Sequence, residues 1–428
     1  MIFQEVSWIR INSQKFCPAL RKIALEWYRS FRHVPCFMQN FFKWLKQRYK
    51  KYNVIVQVEK NHASAFSIMS LASSTGCRIE KELPLINSFR TRVNAKKLRK
   101  LAENRGVKKI WLDGEVHAVL DTASSVIKSS TLWKSGITGK GITVAVLDSG
   151  VYNHPDLKGR IIGFVDFIKN KKTAYDDNGH GTHVAGNIAS SGKSSNYKYR
   201  GTAPEANIVG VKILNKEGSG SFSTVIEGIQ WCIDNKDLLN IRVMNLSLGS
   251  PPMQSYKDDP VCQAVESAWK AGIVVCAAAG NSGPEPNTIN SPGIDPLIIT
   301  VGALNDNNTI PAFDDVIADF SSRGPTIDNL QKPDIVAPGV DIISLRVPGS
   351  LIDKQNKSAR VGNLYTSLSG TSMATPICTG VVCQMLQANP SLTPGEVKER
   401  LIKTAIPVSG VDKNSQGAGI INAEEAVK

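Results

Sequence analysis

Gly370-Thr371-Ser372-Met373-Ala374-Thr375-Pro376, continued by Ile377-Cys378-Thr379-Gly380-Val381-Val382, reads as a glycine turn opening into a helix of small residues. A serine at that junction lies at the positive end of the helix, where unpaired backbone N–H groups favour negative charge. The place suits a nucleophile. Serine alone is a weak one and needs a base within hydrogen-bond reach, plus a third group that orients the base.

Both are found upstream. Gly139-Lys140-Gly141 precedes the apolar strand Ile142-Thr143-Val144-Ala145-Val146-Leu147, which ends in Asp148-Ser149-Gly150. A carboxylate at the end of a buried strand is costly unless specifically hydrogen-bonded, and functional groups gather at such strand ends in open α/β sheets. Taken alone, an Asp that starts a turn after a strand is commonplace. His180 stands thirty-two residues after Asp148, within Asp177-Asn178-Gly179-His180-Gly181-Thr182-His183-Val184-Ala185-Gly186. A histidine can take the serine proton and return it to a leaving amine. His180 and His183 could instead be a metal pair, but neither the following Glu of H-E-x-x-H nor a third ligand completes one. His183 reads as a structural hydrogen-bonding residue, and no metal ligand is assigned.

The 428 residues suit one large α/β domain plus something smaller, and 42% hydrophobic content can fill a sizeable core. The formal charge of +14 is uneven: residues 1–52 sum to +9, residues 53–120 to +6, and residues 121–428 to −1. A polyanion-binding main domain is therefore not expected. The eight cysteines show no paired metal-ligand spacing and are too sparse for a disulfide scaffold, so they read as small core residues. Residues 1–51 are broken repeatedly by Arg and Lys, without the continuous apolar run of a secretory signal, and no membrane-span-length apolar run occurs elsewhere. The expectation is a cytoplasmic protein.

Residues 1–52 mix aromatic and basic residues; Phe37, Phe41, Trp44, Leu45 and Arg48 fit helical spacing, so one or two basic amphipathic helices are expected there. They read best as an extension packed on its neighbour, with membrane-surface or nucleic-acid attachment as the minority readings. Residues 53–120 read as a separate unit: strand Val54–Val58, a helix over Ser64–Ser73, strands around Pro84, helix Ala95–Asn104 capped by Asn94, and strand Val107–Leu112. The order β-α-β-β-α-β is the ferredoxin-like pattern. An RNA-binding module shares that pattern, but no aromatic RNP-type motif stands in these strands.

Asp148-Ser149-Gly150, His180 to Gly186 and Gly370 to Pro376 together resemble the three signature blocks of the subtilisin family of serine peptidases (subtilases, peptidase S8), in that family's Asp, His, Ser order. With an N-terminal extension, no signal and many cysteines, the whole arrangement is similar to the intracellular alkaline serine proteases of bacilli. The resemblance implies a mostly parallel α/β catalytic domain over residues 121–428, and a serine endopeptidase acting through an acyl-enzyme. Ser372 would be its nucleophile, His180 its base and acid, and Asp148 the orienting group. Val274 to Asn281 resembles the strand that ends in the oxyanion-hole asparagine, which assigns Asn281 to that role.

Met244-Asn245-Leu246-Ser247-Leu248-Gly249 and Gly218-Ser219-Gly220 resemble the two edges between which the family lays its substrate as an added strand. Broad specificity for protein and peptide substrates follows, with Phe222 expected at the wall of an apolar P4 pocket. Residues 53–120 resemble the family's inhibitory propeptide, which acts as an intramolecular inhibitor and is cut away in a self-processing zymogen. The cut is expected between about Asp113 and Thr122.

No cofactor is required on this reading. A structural calcium is the metal the resemblance raises: His154-Pro155-Asp156-Leu157 resembles the place where secreted members supply a ligand, with Asp156 read as a surface carboxylate. The segment Ser190 to Arg200, however, lacks their asparagine-rich calcium loop. Pro348 to Thr366 reads as a mobile, charged insertion near the active-site rim. The rival reading is a catalytically silent binding protein on the same fold, tethered by its basic N-terminus.

Overall fold

The computed structural model describes residues 6–29, 38–59, 65–113, 115–118, 126–307 and 315–428. Phe37 and Cys36 of the N-terminal stretch lie outside them, as do residues 119–125, which include the C-terminal part of the expected cut region. The chain forms two compact units, Met1–Gly114 and Glu115–Lys428.

In the first unit, helices α1 (Ser7–Ile11), α2 (Pro18–Glu26) and α3 (Gln39–Tyr49) precede β1 (Tyr52–Val58), α4 (Ala65–Thr75), β2 (Lys81–Leu83), β3 (Ser88–Val93), α5 (Ala95–Glu103) and β4 (Val107–Leu112). The strands form an antiparallel sheet in the order β2-β3-β1-β4. Helix α5 shows why the sequence folds this way. The Asn94 side chain accepts from Lys97 N at 3.1 Å, and Ala95, Leu98, Leu101 and Ala102 form its buried stripe, while its lysines stay outside. The basic N-terminal stretch is held to the same framework: Cys17 N donates to Ile110 O at 3.2 Å, and Lys15 Nζ caps the end of α5 through Ala102 O (3.0 Å) and Asn104 O (2.7 Å).

The second unit begins with β5 (Glu115–Ala118), α6 (Ser129–Lys134), β6 (Thr143–Asp148), β7 (Ile161–Asp166), α7 (His180–Ala189), β8 (Asn207–Lys212) and β9 (Ser219–Ser221). It continues through α8 (Phe222–Asp234), β10 (Ile241–Leu246), β11 (Leu248–Gly249), α9 (Pro260–Lys270), β12 (Val274–Ala278), β13 (Ile299–Asn305), β14 (Val316–Ile317) and β15 (Ile335–Pro338). Then follow β16 (Ile342–Leu345), α10 (Leu351–Gln355), β17 (Arg360–Val361), β18 (Tyr365–Leu368) and the long α11 (Thr371–Ala388).

Its main sheet has the order β14-β13-β12-β10-β6-β8-β7, with β15 added beside β13. Every pairing is parallel except β13 with β14. Helices cover both faces of such a sheet, which is why β6 and β12 are buried at every position and read as unbroken apolar runs. This is the α/β subtilisin-like architecture expected from the sequence. Parallel strands also put their carboxyl ends on one edge, so Asp148, Lys212, Leu246 and Ala278, the last residues of β6, β8, β10 and β12, open onto the same side. Cys276 in β12 and Cys378 in α11 are fully buried, and all seven cysteines among the described residues are free.

Two smaller sheets flank that edge. One joins β16, β18 and β17; the other sets β5 between β9 and β11. The expected mobile insertion is folded: it contributes α10, β17 and the start of β18.

Candidate active site

Asp148 is fully buried at the end of β6, where Ser149 N donates to its Oδ1 at 2.7 Å. His180 opens α7 behind Gly179, whose φ of +105° is one a side chain would resist. The His180 Nδ1–H donates to both Asp148 oxygens, at 2.8 and 2.9 Å. That bond places the proton on Nδ1 and leaves Nε2 as the basic nitrogen. Gly181 is what allows so close an approach. A Cβ there would lie 2.2 Å from Gly150 O and 3.0 Å from Asp148 Cβ, so any larger residue would drive the helix off the strand end.

The turn before His180 is organised by a residue the sequence reading passed over. Asp176 Oδ1 accepts from Ser149 Oγ (2.9 Å), Asn178 N (3.1 Å) and Gly179 N (2.8 Å), and its Oδ2 accepts from Thr182 N (2.9 Å) and Thr182 Oγ1 (2.7 Å). Burial pushes its carboxyl above the usual range, and these donors pull the other way. Lys212, fully buried at the end of β8, reaches Asp177 Oδ1 (2.8 Å), Leu214 O (2.9 Å) and Ser149 O. The signal for both was present in the doubled Asp176-Asp177 and in a lysine ending an apolar strand, since buried charges persist only when paired.

Ser372 is the second residue of α11 and is buried in this chain. Its hydroxyl donates to Ser247 O at 3.0 Å, and Ser247 Oγ donates to Ser372 O at 2.8 Å. Pro376 explains the second bond. A proline has no N–H, so the carbonyl four residues earlier loses its helical partner and is open to another donor. Ser247 is itself steadied by Asn245 Nδ2 (2.9 Å), and Thr379 Oγ1 donates to Asn245 Oδ1 (2.8 Å). Small residues also let α11 lie close to the connection before β8; at Gly380 a Cβ would stand 2.5 Å from Thr202 Cβ.

Asn281 follows β12 and is half-buried. Its Oδ1 accepts from Thr371 N (3.0 Å) and Thr371 Oγ1 (2.8 Å). Two donors at one end fix the amide orientation and leave Nδ2 as a donor on the other side. Asp148, His180, Asn281 and Ser372 thus come from four separate segments to one sheet edge.

The two expected substrate edges stand beside them. Gly218 (φ +77°) leads into β9, and Phe222, half-buried, starts α8 directly after it. Between β9 and β11 runs β5, antiparallel to both: Glu115 is opposite Ser221, Val116 opposite Gly220, His117 opposite Ser219 and Gly249, and Ala118 opposite Leu248.

His183 is fully buried, with Nε2 placed to donate to Ile342 O (3.1 Å) and Thr366 O (3.2 Å). Burial holds its pKa down at about 3. Asp156, expected on the surface, is only 1% exposed. Its carboxylate accepts from Tyr365 Oη (2.5 Å), Ser194 N (2.9 Å) and Ser191 Oγ (3.2 Å). Hard cations need oxygen acceptors, whereas these neighbours present hydrogens. The surroundings of Asp156 do not fit a calcium ion.

The profile of the subtilase family (peptidase S8) matches residues 139–420. The chain is 48% identical to serine protease AprX of Bacillus subtilis over 99% of both chains. It is 34% identical to a thermostable alkaline protease of Halalkalibacterium halodurans, over 89% of this chain and 93% of that protein. Among solved structures it resembles fervidolysin of Fervidobacterium pennivorans, a keratinolytic enzyme related to subtilisin, with a TM-score of 0.70 and 25% identity. That match covers 89% of this chain and 61% of the fervidolysin chain. The fold, the order of the motifs and these relatives agree: the chain belongs to the subtilase family and is a subtilisin-type serine protease acting on proteins.

Proposed function

We propose that the protein is an endopeptidase made as a self-processing zymogen, with Asp148, His180 and Ser372 as its triad. The position of β5 carries this reading. It is a piece of the chain itself, laid as the middle strand between the two edges expected to hold substrate. Backbone pairing of that kind accepts almost any extended peptide, which favours broad specificity.

The chemistry follows from the donors and acceptors in place. Ser372 Oγ swings from Ser247 O towards His180 Nε2, gives up its proton and attacks the scissile carbonyl. The developing oxyanion meets Asn281 Nδ2 and the Ser372 N–H, while Asp148 steadies the imidazolium. His180 then passes the proton to the leaving amine, and water releases the acyl group by the same steps.

Register supports a cut position. Ala118 is opposite Leu248, and Ser247, the next residue towards the nucleophile, holds the Ser372 hydroxyl. A substrate running the same way has its scissile residue one beyond the position of Ala118, so the maturation cut is proposed between Val119 and Leu120. On that count Val116 takes the fourth place before the cut, opposite Gly220 and two residues ahead of Phe222. An apolar residue there agrees with an apolar P4 preference. Residues 1–119 would then be released as the inhibitory propeptide. Seven free, buried cysteines support a reducing compartment such as the cytoplasm.

The test is maturation of the purified full chain, followed by intact mass and N-terminal sequencing. A new terminus at Leu120, with Ser372→Ala remaining whole, is the expected result. A chain that neither processes nor takes up a fluorophosphonate on Ser372 would overturn the reading in favour of a catalytically silent binding protein.

A further inference from the structure

The insertion between β16 and β18 makes contacts that bear on the base. His180 must keep its Nδ1–H on Asp148 while presenting Nε2, so the backbone turn that delivers it has to be held. That turn is Asp177-Asn178-Gly179, and two of its carbonyls are taken by the insertion: Leu351 N donates to Asp177 O at 3.1 Å and Ile352 N to Asn178 O at 3.0 Å. These are the first two residues of α10, whose N–H groups have no partner within the helix. Ser350 lies against the same turn, since a Cβ on Gly179 would come within 2.7 Å of Ser350 Oγ.

Helix α10 has five residues and cannot sustain itself. Asp353 anchors it. Its carboxylate, 4% exposed, accepts from Arg346 Nε (2.5 Å) and Nη2 (3.1 Å), Arg360 Nε (2.7 Å) and Gly349 N (2.8 Å). Arg360 Nη2 also donates to Asp353 O at 2.9 Å. Arg346 stands just before the insertion and Arg360 opens β17 within it, so one carboxylate ties the insertion's entry to its β17 strand. With Arg346 beside it, the Asp353 carboxyl is held well below the usual range and stays ionised. The strands at the insertion's ends are docked on α7 as well, through His183 Nε2 with Ile342 O and Thr366 O and through Ser344 Oγ with His183 O (2.9 Å).

We propose that residues 350–353 are a clamp that positions the turn before His180, with Asp353 as the positioning residue that locks it. The clamp rests on the peptidase reading above. Its two backbone bonds go to the turn before His180 and not to β9 or β11, although Asn178 of that turn also reaches Lys216 O ahead of β9 (2.8 Å), so the expected effect falls on kcat more than on KM.

The experiment uses protein made as the full chain and allowed to process itself, with kcat expressed per active site titrated by fluorophosphonate. Leu351→Pro is the sharpest variant, because proline suits the first helical position and lacks the N–H that reaches Asp177 O. Asp353→Asn removes the lock, Arg360→Gln weakens it, and Lys354→Ala on the exposed side of α10 is the control. Expected are a fall in kcat per site of fivefold or more for Leu351→Pro and Asp353→Asn, a smaller fall for Arg360→Gln, KM within twofold, and no change for the control. If kcat per titrated site stays within twofold in all three, even with fewer titratable sites, the insertion only stabilises the fold and the proposal is overturned. A parent chain that takes no label overturns the peptidase reading and the clamp with it.

Discussion

Thr371 grips the side chain of Asn281 with both of its donors, the backbone N–H at 3.0 Å and the hydroxyl at 2.8 Å from the same Oδ1. The hydroxyl in turn accepts from Gly280 N at 3.2 Å. The residue before the proposed nucleophile therefore aims the proposed oxyanion donor. For a subtilisin asparagine of this kind, outright loss costs about 10²–10³ in kcat. Thr371→Val keeps the backbone bond and loses the hydroxyl, so kcat is expected to fall roughly tenfold, within that limit, with KM little changed and Thr371→Ser restoring most of it. Steady-state kinetics on a peptide substrate checks this; a valine variant with parental kcat would show that the backbone bond alone suffices.

Asp176 is a buried acceptor facing five hydrogen-bond donors. In Asp176→Asn one oxygen becomes an NH2 that opposes donors, and a buried group is left without a partner. A loss of stability of about 3 kcal/mol or more is expected. Urea unfolding in the Ser372→Ala background, where self-digestion is suppressed on the proposed mechanism, measures it.

Tyr365 donates a 2.5 Å hydrogen bond to Asp156, in surroundings that do not suit a calcium ion. Tyr365→Phe leaves the buried carboxylate one donor short, for an expected loss of about 1–3 kcal/mol. Added calcium is expected not to restore the melting temperature of the variant; restoration would show that the residues around Asp156 can rearrange into a cation site.

His183 is neutral when folded, with a pKa near 3, against an ordinary value of 6.5. The folded pKa is depressed, so the unfolded chain binds the extra proton. The contribution to stability is whole above about pH 6.5 and is lost as pH falls towards 3. Between pH 7 and pH 5 this amounts to about 2 kcal/mol. His183→Gln, which can still donate to Ile342 O, is expected to flatten that part of the stability profile. Urea titrations at the two pH values, again in the Ser372→Ala background, provide the comparison.

Asp148, His180 and Ser372 were legible in the sequence because each stands where one short segment ends and another begins, beside glycines that only a close backbone approach explains. Gly181 against Gly150 O is the clearest instance. The parallel sheet was legible for a similar reason: unbroken apolar runs such as Ile142–Leu147 need cover on both faces. Asp156 was misread as a surface group because its partners Ser194 and Tyr365 lie 38 and 209 residues away. Asp176 and the Asp353 lock were passed over because a short charged run looks the same whether it is solvated or folded inward.

By itself, the sequence determined the secondary-structure periods, the strand-end and helix-start positions of the chemical groups, and the family to which they belong. All of these are local properties, set by side-chain spacing and backbone sterics. Only the tertiary structure decided which buried charges are paired, that Thr371 turns the Asn281 amide, that β5 lies between β9 and β11, and that the insertion grips the turn before His180. Hydrogen bonds between distant segments depend on angstrom-scale placement, which no local pattern encodes, so they exist only once the sheet has brought those segments to one edge.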